Sequence, residues 1–244
     1  MKFSINSIQL KKSPEDAYDQ LFDTFLKNGT VIDKLILAGA PESLDKKNCD
    51  NWKIGVSSIV FPDGNATTSY DRISRFLDLE QLECMEFPLT LVSMKFLDKP
   101  EVINCKSLLL SPGKVDDISS FGNHLNHLMN EHLMVVFPDY SDVEPLVKVW
   151  IESPRPVPSR FSFIYWFGNE DPEYRSIEKN FGAVPAVHPS DAGLECRSLK
   201  LSDGNDLIMY YSKNPQRFTM EVYEGGLSTE EADEGEPSEK RARQ

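Results

Sequence analysis

Apolar and polar residues alternate with a period of two or of about three and a half along most of the chain, and the switches between the two periods divide it into elements. Phe3, Ile5 and Ile8 fall among polar residues and predict an opening strand. A helix follows from Ser13, with Ser13 as N-cap, Pro14 at the first helical position and Asp16 in the first turn, where the helix dipole favours an anion. Ala17, Tyr18, Leu21, Phe22 and Phe25 line one face, and Gly29 is placed to end it.

From there one pattern recurs: a short β-type run, a Pro/Asp/Gly turn, then an amphipathic helix. Residues 57–61 lead through Pro62-Asp63-Gly64 to a helix carrying Tyr70, Ile73, Phe76 and Leu77, with Thr68 and Asp71 at capping-box spacing. Residues 107–110 lead through Ser111-Pro112-Gly113 to a helix with Val115, Ile118, Phe121, Leu125 and Leu128. Residues 133–137 lead through Pro138-Asp139 to a helix with Val143, Leu146, Val147 and Trp150, with Ser141 and Glu144 at the same capping spacing. Residues 161–167 lead to a helix capped by Asp171 and closed by Gly182, with Tyr174, Ile177 and Phe181 on its face. Residues 34–37 and 89–96 are predicted as strands without a full helix.

A strand followed by a helix returns the chain in its original direction, so such units assemble a parallel sheet with helices on one or both faces. The steps between successive strand starts, 26 residues from Ser107 to Leu133 and 28 from Leu133 to Phe161, lie in the range of leucine-rich-repeat solenoids, although the leucine signature itself is missing. The tail end changes style. Residues 196–201, 207–211 and 218–222 alternate cleanly around the turn Ser202-Asp203-Gly204-Asn205, which reads as an antiparallel meander with one buried face. The fold class expected is α/β: an irregular leucine-rich-repeat-like stack of strand–helix units ending in an antiparallel β-meander. It occupies residues 1–223, and residues 224–244, acidic and nearly devoid of apolar side chains, are expected to form a disordered tail. An ordinary α/β sheet is the alternative.

Composition narrows the function. Hydrophobic residues make up 40% of the 244, enough for a sizeable core. The net charge of −13, with no basic stretch that outweighs its acidic neighbours, argues against nucleic acid and anionic membranes as partners. Cys49, Cys84, Cys105 and Cys196 form no C-x-x-C pair and are read as reduced, mostly buried thiols of an intracellular protein, cytoplasmic or nuclear. Lys240-Arg241-Ala242-Arg243 is read as part of the solvated tail. No run of about 20 apolar residues suggests a membrane span.

Catalytic chemistry finds little support. There is no G-x-S-x-G, Walker or dinucleotide-binding motif, and no cysteine sits in a glycine-framed turn. His124 and His127 lie three apart on a predicted helix, with His132 beyond, but off its apolar stripe and with no Cys or carboxylate at ligand spacing, so no metal or cofactor is expected. Two features suggest protein recognition. The loop Ser153-Pro154-Arg155-Pro156-Val157-Pro158-Ser159-Arg160 is stiffened by prolines and expected to be exposed, presenting Arg155 and Arg160. The aromatic run 161–167 places Tyr165 and Trp166 as possible anchors on a binding face, although a strand apolar on both sides also suits a covered sheet.

Three segments carry a resemblance. SPEDAYDQLFDTFLKNGT (13–30), VKVWIESPRPVPSRFSF (147–163) and LKLSDGNDLIMYYSKNPQRFTMEV (199–222) are together similar in order and spacing to the F-box-associated domains of nematode F-box proteins, the F-box C type. The resemblance implies a non-catalytic module that grips the target of a cullin-type ubiquitin ligase. The short leucine- and proline-rich F-box is not seen ahead of Ser13, so engagement of Skp1 and the cullin complex is expected only if an F-box is supplied elsewhere. The alternatives are an uncharacterised enzyme on an α/β sheet and an interaction protein independent of ubiquitin.

Overall fold

In the computed structural model the described residues are 13–26, 29–40, 42–46, 52–90, 92–111, 127–136, 144–153, 155–164, 170–213 and 216–225. The chain is mixed α/β, with one 11-stranded sheet and few helices among the described residues. The strands are β1 (Val31–Ile36), β2 (Ile54–Val60), β3 (Leu77–Asp78), β4 (Cys84–Pro88), β5 (Ser107–Ser111), β6 (His132–Val136), β7 (Arg160–Ile164), β8 (Val184–His188), β9 (Asp191–Lys200), β10 (Asp206–Lys213) and β11 (Gln216–Tyr223). The helices are α1 (Pro14–Phe25), α2 (Tyr70–Ser74), α3 (Pro100–Asn104), α4 (Glu144–Glu152) and α5 (Glu170–Phe181).

Across the sheet the order is β1-β2-β4-β5-β6-β7-β11-β10-β9-β8, with β3 paired beside β2. From β1 to β7 every pairing is parallel. From β7 onward every pairing is antiparallel, as successive hairpins require, and β11 returns against β7.

Register aligns side chains into rows that run the width of the sheet. One row reads Leu35, Ile59, Met85, Leu108, Leu133, Phe161, Met220 and Met209. It faces the helices, and with Val147, Trp150 and Ile177 from α4 and α5 it forms one continuous core. A tight aromatic group extends that core: Phe61, Tyr70, Phe87 and Phe96 meet edge to face with ring centroids 4.9–6.3 Å apart, an arrangement favoured by the ring quadrupoles. The next residue along each strand points the other way. There the row reads Lys34, Ser58, Cys84, Ser107, His132, Arg160 and Glu221. The described helices that reach the core all do so from the first face.

Local signals explain several boundaries. The Ser13 hydroxyl accepts the Asp16 N–H at 3.2 Å and caps α1. Gly182, at φ 72°, closes α5, its N–H bonding the Glu178 carbonyl at 3.0 Å. Other expectations need correcting. The capping box at Thr68 and Asp71 does not form; the Thr68 hydroxyl donates back to the Asn65 carbonyl at 2.7 Å, and residues 64–69 wind as a 3-10 turn. The strand expected over 89–96 is displaced to Cys84–Pro88, and Ser93–Asp98 is a 3-10 turn. Thr90 and Ser93 cause this, since each hydroxyl accepts the other's backbone N–H, at 3.1 and 2.8 Å. The helix expected to begin behind Asp171 starts at Glu170. Strand β8 carries no clear sequence signal, because Pro185 and a largely exposed pattern obscure it; both are tolerated at the edge of a sheet. The strand at 3–8, most of the helix at 115–128, the cap at Ser141, the side chains of Asp171 and Tyr174, Cys49, His124 and the tail beyond Gly225 lie outside the described residues.

Candidate functional site

Where the parallel and antiparallel halves join, on the face away from the helices, polar groups converge on one buried carboxylate. Glu221 lies on β11 in an alternating run whose other face, Phe218, Met220 and Val222, fills the main core. Its Oε1 accepts the Tyr210 hydroxyl and its Oε2 the Tyr223 hydroxyl, both at 2.6 Å. Arg160, the register partner of Glu221 on β7, pairs with the same Oε1 through Nε. His188 Nε2 approaches Oε2 at 3.5 Å. In a flat sheet β8 would stand three strand spacings, about 14 Å, from β11. The contact therefore requires the β8–β9 edge to curl over this face, where Cys196, Ile208 and Tyr210 form a small second core. The His188 ring stands edge-on to Tyr210 and Tyr223, at 4.8 and 5.9 Å.

These contacts set the charge state. Burial pushes the Glu221 carboxyl up, but the bonds from Tyr210 and Tyr223 and the Arg160 charge outweigh it and hold the group below its ordinary value. Burial, and then the bond to Glu221, raise both phenols, Tyr223 to about 12. Glu221 is thus an anion with fixed donors, a poor general base. Ser190 Oγ lies 3.2 Å from His188 Nδ1, which would resemble a nucleophile–base pair, but the Ser190 backbone N–H also donates to that nitrogen, at 3.3 Å. The pair is the lock of a two-residue turn between β8 and β9.

Beside Glu221 lies a cleft of about 210 Å³ lined by His132, Val157, Pro158, Ser159, Arg160, Glu221, Val222 and Tyr223. The Arg160 side chain is 47% exposed there. His132 Nε2 lies 3.3 Å from Glu131 Oε1, while its Nδ1 is buried without a hydrogen-bond partner.

No protein-family model, curated protein or solved structure matches the chain. Its chemistry therefore has to be read from its own residues.

Of the residues singled out in the sequence, Arg160 lies at this site, on an exposed edge of the cleft. Arg155 does not project from the loop as expected; it is 4% exposed. Its Nη1 donates to the Leu128 carbonyl and its guanidinium carbon lies 5.6 Å from the centre of the Trp150 ring. It ties the loop before β7 to the segment before β6 and to α4. The physical reason is that the Leu128 carbonyl sits inside the fold and needs a donor. Burial lowers the Arg155 pKa, as it must for a cation drawn out of water. Replacing Arg155 by Ala is expected to cost about 2–3 kcal/mol through the orphaned carbonyl and lost packing, and urea denaturation measures it; no loss would contradict the assignment. Tyr165 and Trp166 lie outside the described residues. His127 and His132 are apart from one another in role, His127 pairing with Asp98 at 3.4 Å. Among the described residues no three His, Cys, Asp or Glu side chains gather to hold a metal, and no helix is long and apolar enough to cross a membrane.

Glu221, Tyr210, Tyr223 and His188 were not singled out in the sequence. A Glu in an alternating strand reads as a solvent-facing position, and only the curl of the β8–β9 edge, a long-range event, buries it.

Proposed function

We propose that the chain is a protein-recognition module, resembling the substrate-binding half of F-box ubiquitin-ligase receptors, whose binding surface is the sheet face turned away from the helices. The observation that carries this reading is the character of that face. Across the parallel half it presents a row of Ile36, which is 64% exposed, and half-buried Val60, Leu109 and Met134, interrupted by the carboxylate of Glu86 between Val60 and Leu109. Parallel sheets are ordinarily covered on both sides, and a largely apolar row left part-exposed beside polar groups is the kind of feature that marks an interaction site. The in-sequence order of β1, β2, β4, β5, β6 and β7, with β3 set aside against β2, also fits a leucine-rich-repeat-like stack, a type of fold that binds partners along an extended sheet surface. The free thiols of Cys84, Cys105 and Cys196 suit an intracellular setting. Skp1 and the cullin complex enter this reading only through an F-box supplied elsewhere; purified Skp1 is expected not to bind residues 1–244 directly.

The experiment is quantitative affinity capture from cell extract with three folded proteins: wild type, Met134→Lys on the proposed face, and Lys148→Glu on α4. A discrete set of proteins is expected with wild type and Lys148→Glu, and is expected to fall about tenfold or more with Met134→Lys, since a buried charge in an interface costs well over 1.4 kcal/mol. Identical captures by all three would refute the reading.

A further inference from the structure

We propose that the cleft over Arg160 is a carboxylate-recognition pocket that takes a terminal or side-chain carboxylate of a partner polypeptide. The inference rests on the recognition reading above and names the chemistry that one part of the surface would read.

Arg160 is mounted for this purpose. Its Nε is engaged by Glu221, which is itself fixed by two phenols on β10 and β11. The guanidinium is therefore held from behind by a buried group while about half of the side chain meets solvent. A guanidinium carries five N–H donors in a planar fork. Among the described residues Glu221 is its ion-pair partner, and that pairing is made through Nε. The Nη donors are the geometry a carboxylate accepts in two parallel bonds. Because the Arg160 rotamer is already fixed, little side-chain entropy remains to be lost on binding.

Size and charge select the ligand. Whole small-molecule sites span roughly 300–1,000 Å³; the cleft, at about 210 Å³, suits one functional group with a short stem. Val157, 39% exposed, and Pro158 give that stem an apolar wall. Charges around the cleft nearly balance. Arg160 faces Glu221, and Lys106 lies 3.6 Å from the Glu131 that also meets His132. With Glu221 already on the same guanidinium, a second anion is repelled in proportion to its charge, which favours a carboxylate over a phosphate dianion. His132 lines the same cleft, so its ring reports on what enters.

The test uses the full chain with isotope labels in its His and Tyr rings, titrated with N-acetyl-leucine, N-acetyl-leucinamide and inorganic phosphate. N-acetyl-leucine is expected to shift His132 and Tyr223 saturably. The amide and phosphate are expected to bind at least about tenfold more weakly, the loss of one charge-assisted pair. N-acetyl-aspartate diamide, whose only carboxylate is on its side chain, separates the two sources of the group. Arg160→Lys keeps the charge but loses the fork, and is expected to weaken binding about fivefold or more. Val157→Asp changes an exposed wall without touching the Arg160–Glu221 pair, and is expected to abolish binding with the melting temperature unchanged. Equal response to acid and amide, or unaltered binding by Val157→Asp, overturns the proposal. A pocket that binds N-acetyl-leucine while Met134→Lys captures the wild-type proteins would leave this proposal standing and sink the recognition reading; a silent pocket with a Met134-dependent partner set would do the reverse.

Discussion

Phe161→Ala is expected to be the most damaging single substitution in the described core, lowering stability by about 3–5 kcal/mol. Phe161 is fully buried, at 1% exposure. It stands in the core-facing row between Leu133 of the parallel half and Met220 of the antiparallel half. Its ring lies 6.0 Å from that of Trp150 on α4, so it also joins sheet to helix. Truncation removes the ring's transfer free energy and leaves a cavity that three rigid elements cannot easily close. Since a domain retains only about 5–15 kcal/mol in all, the variant should show a urea midpoint well below wild type with a similar slope. Phe161→Leu, which fills most of the space, should lose less than half as much. A Phe161→Ala midpoint within error of wild type would mean that the two halves do not depend on this contact.

Strands β2, β5, β6, β7, β10 and β11 are legible in the sequence, because period-two runs such as Leu108 and Leu110, Leu133 and Val135, or Leu207, Met209 and Tyr211 report a face without reference to anything distant, whereas β3, β4 and β8 are not. What failed were competitions between local effects. Residues 89–96 are apolar enough for a strand, yet the paired hydroxyls of Thr90 and Ser93 start a 3-10 turn there. The Arg155 loop illustrates a different limit. Proline content argues for a stiff exposed connector, and nothing nearby in sequence reveals the Leu128 carbonyl that draws the guanidinium inside. The candidate site is the extreme case, since its residues come from β6, β7, β8, β10, β11 and the β7 approach, and meet only because the sheet closes antiparallel against β7 and its edge curls. Arg160 was found for its exposure, which it keeps; its fixed orientation depends on Glu221, 61 residues later by numbering.

Removing the charge of Glu221 should loosen that junction and change how the protein responds to pH. In Glu221→Gln the amide can still accept one hydrogen bond, but the two phenols and Arg160 no longer share an anion. Charge-assisted bonds are worth about 1.5–3 kcal/mol each in favourable settings. Discounted for the half-exposed Arg160, the expected loss at pH 7 is about 2–3 kcal/mol. The pH dependence follows from the direction of the shift. Glu221 titrates lower in the folded chain than in the unfolded one. Its contribution is therefore complete above the unfolded value, about 4.3, and is lost as the pH falls from there through the lower folded value. Wild type should accordingly lose stability more steeply than Glu221→Gln as the pH falls from about 5 to about 3. At the alkaline end the sign reverses. Tyr223, raised to about 12 by burial and by its bond to Glu221, contributes fully below its unfolded value of about 10 and loses that contribution as the pH rises through 12. Chemical denaturation of both proteins at intervals from pH 3 to 8 tests the acid limb. Parallel curves for wild type and Glu221→Gln would show that the carboxylate is not the anion on which Arg160 and the two tyrosines converge.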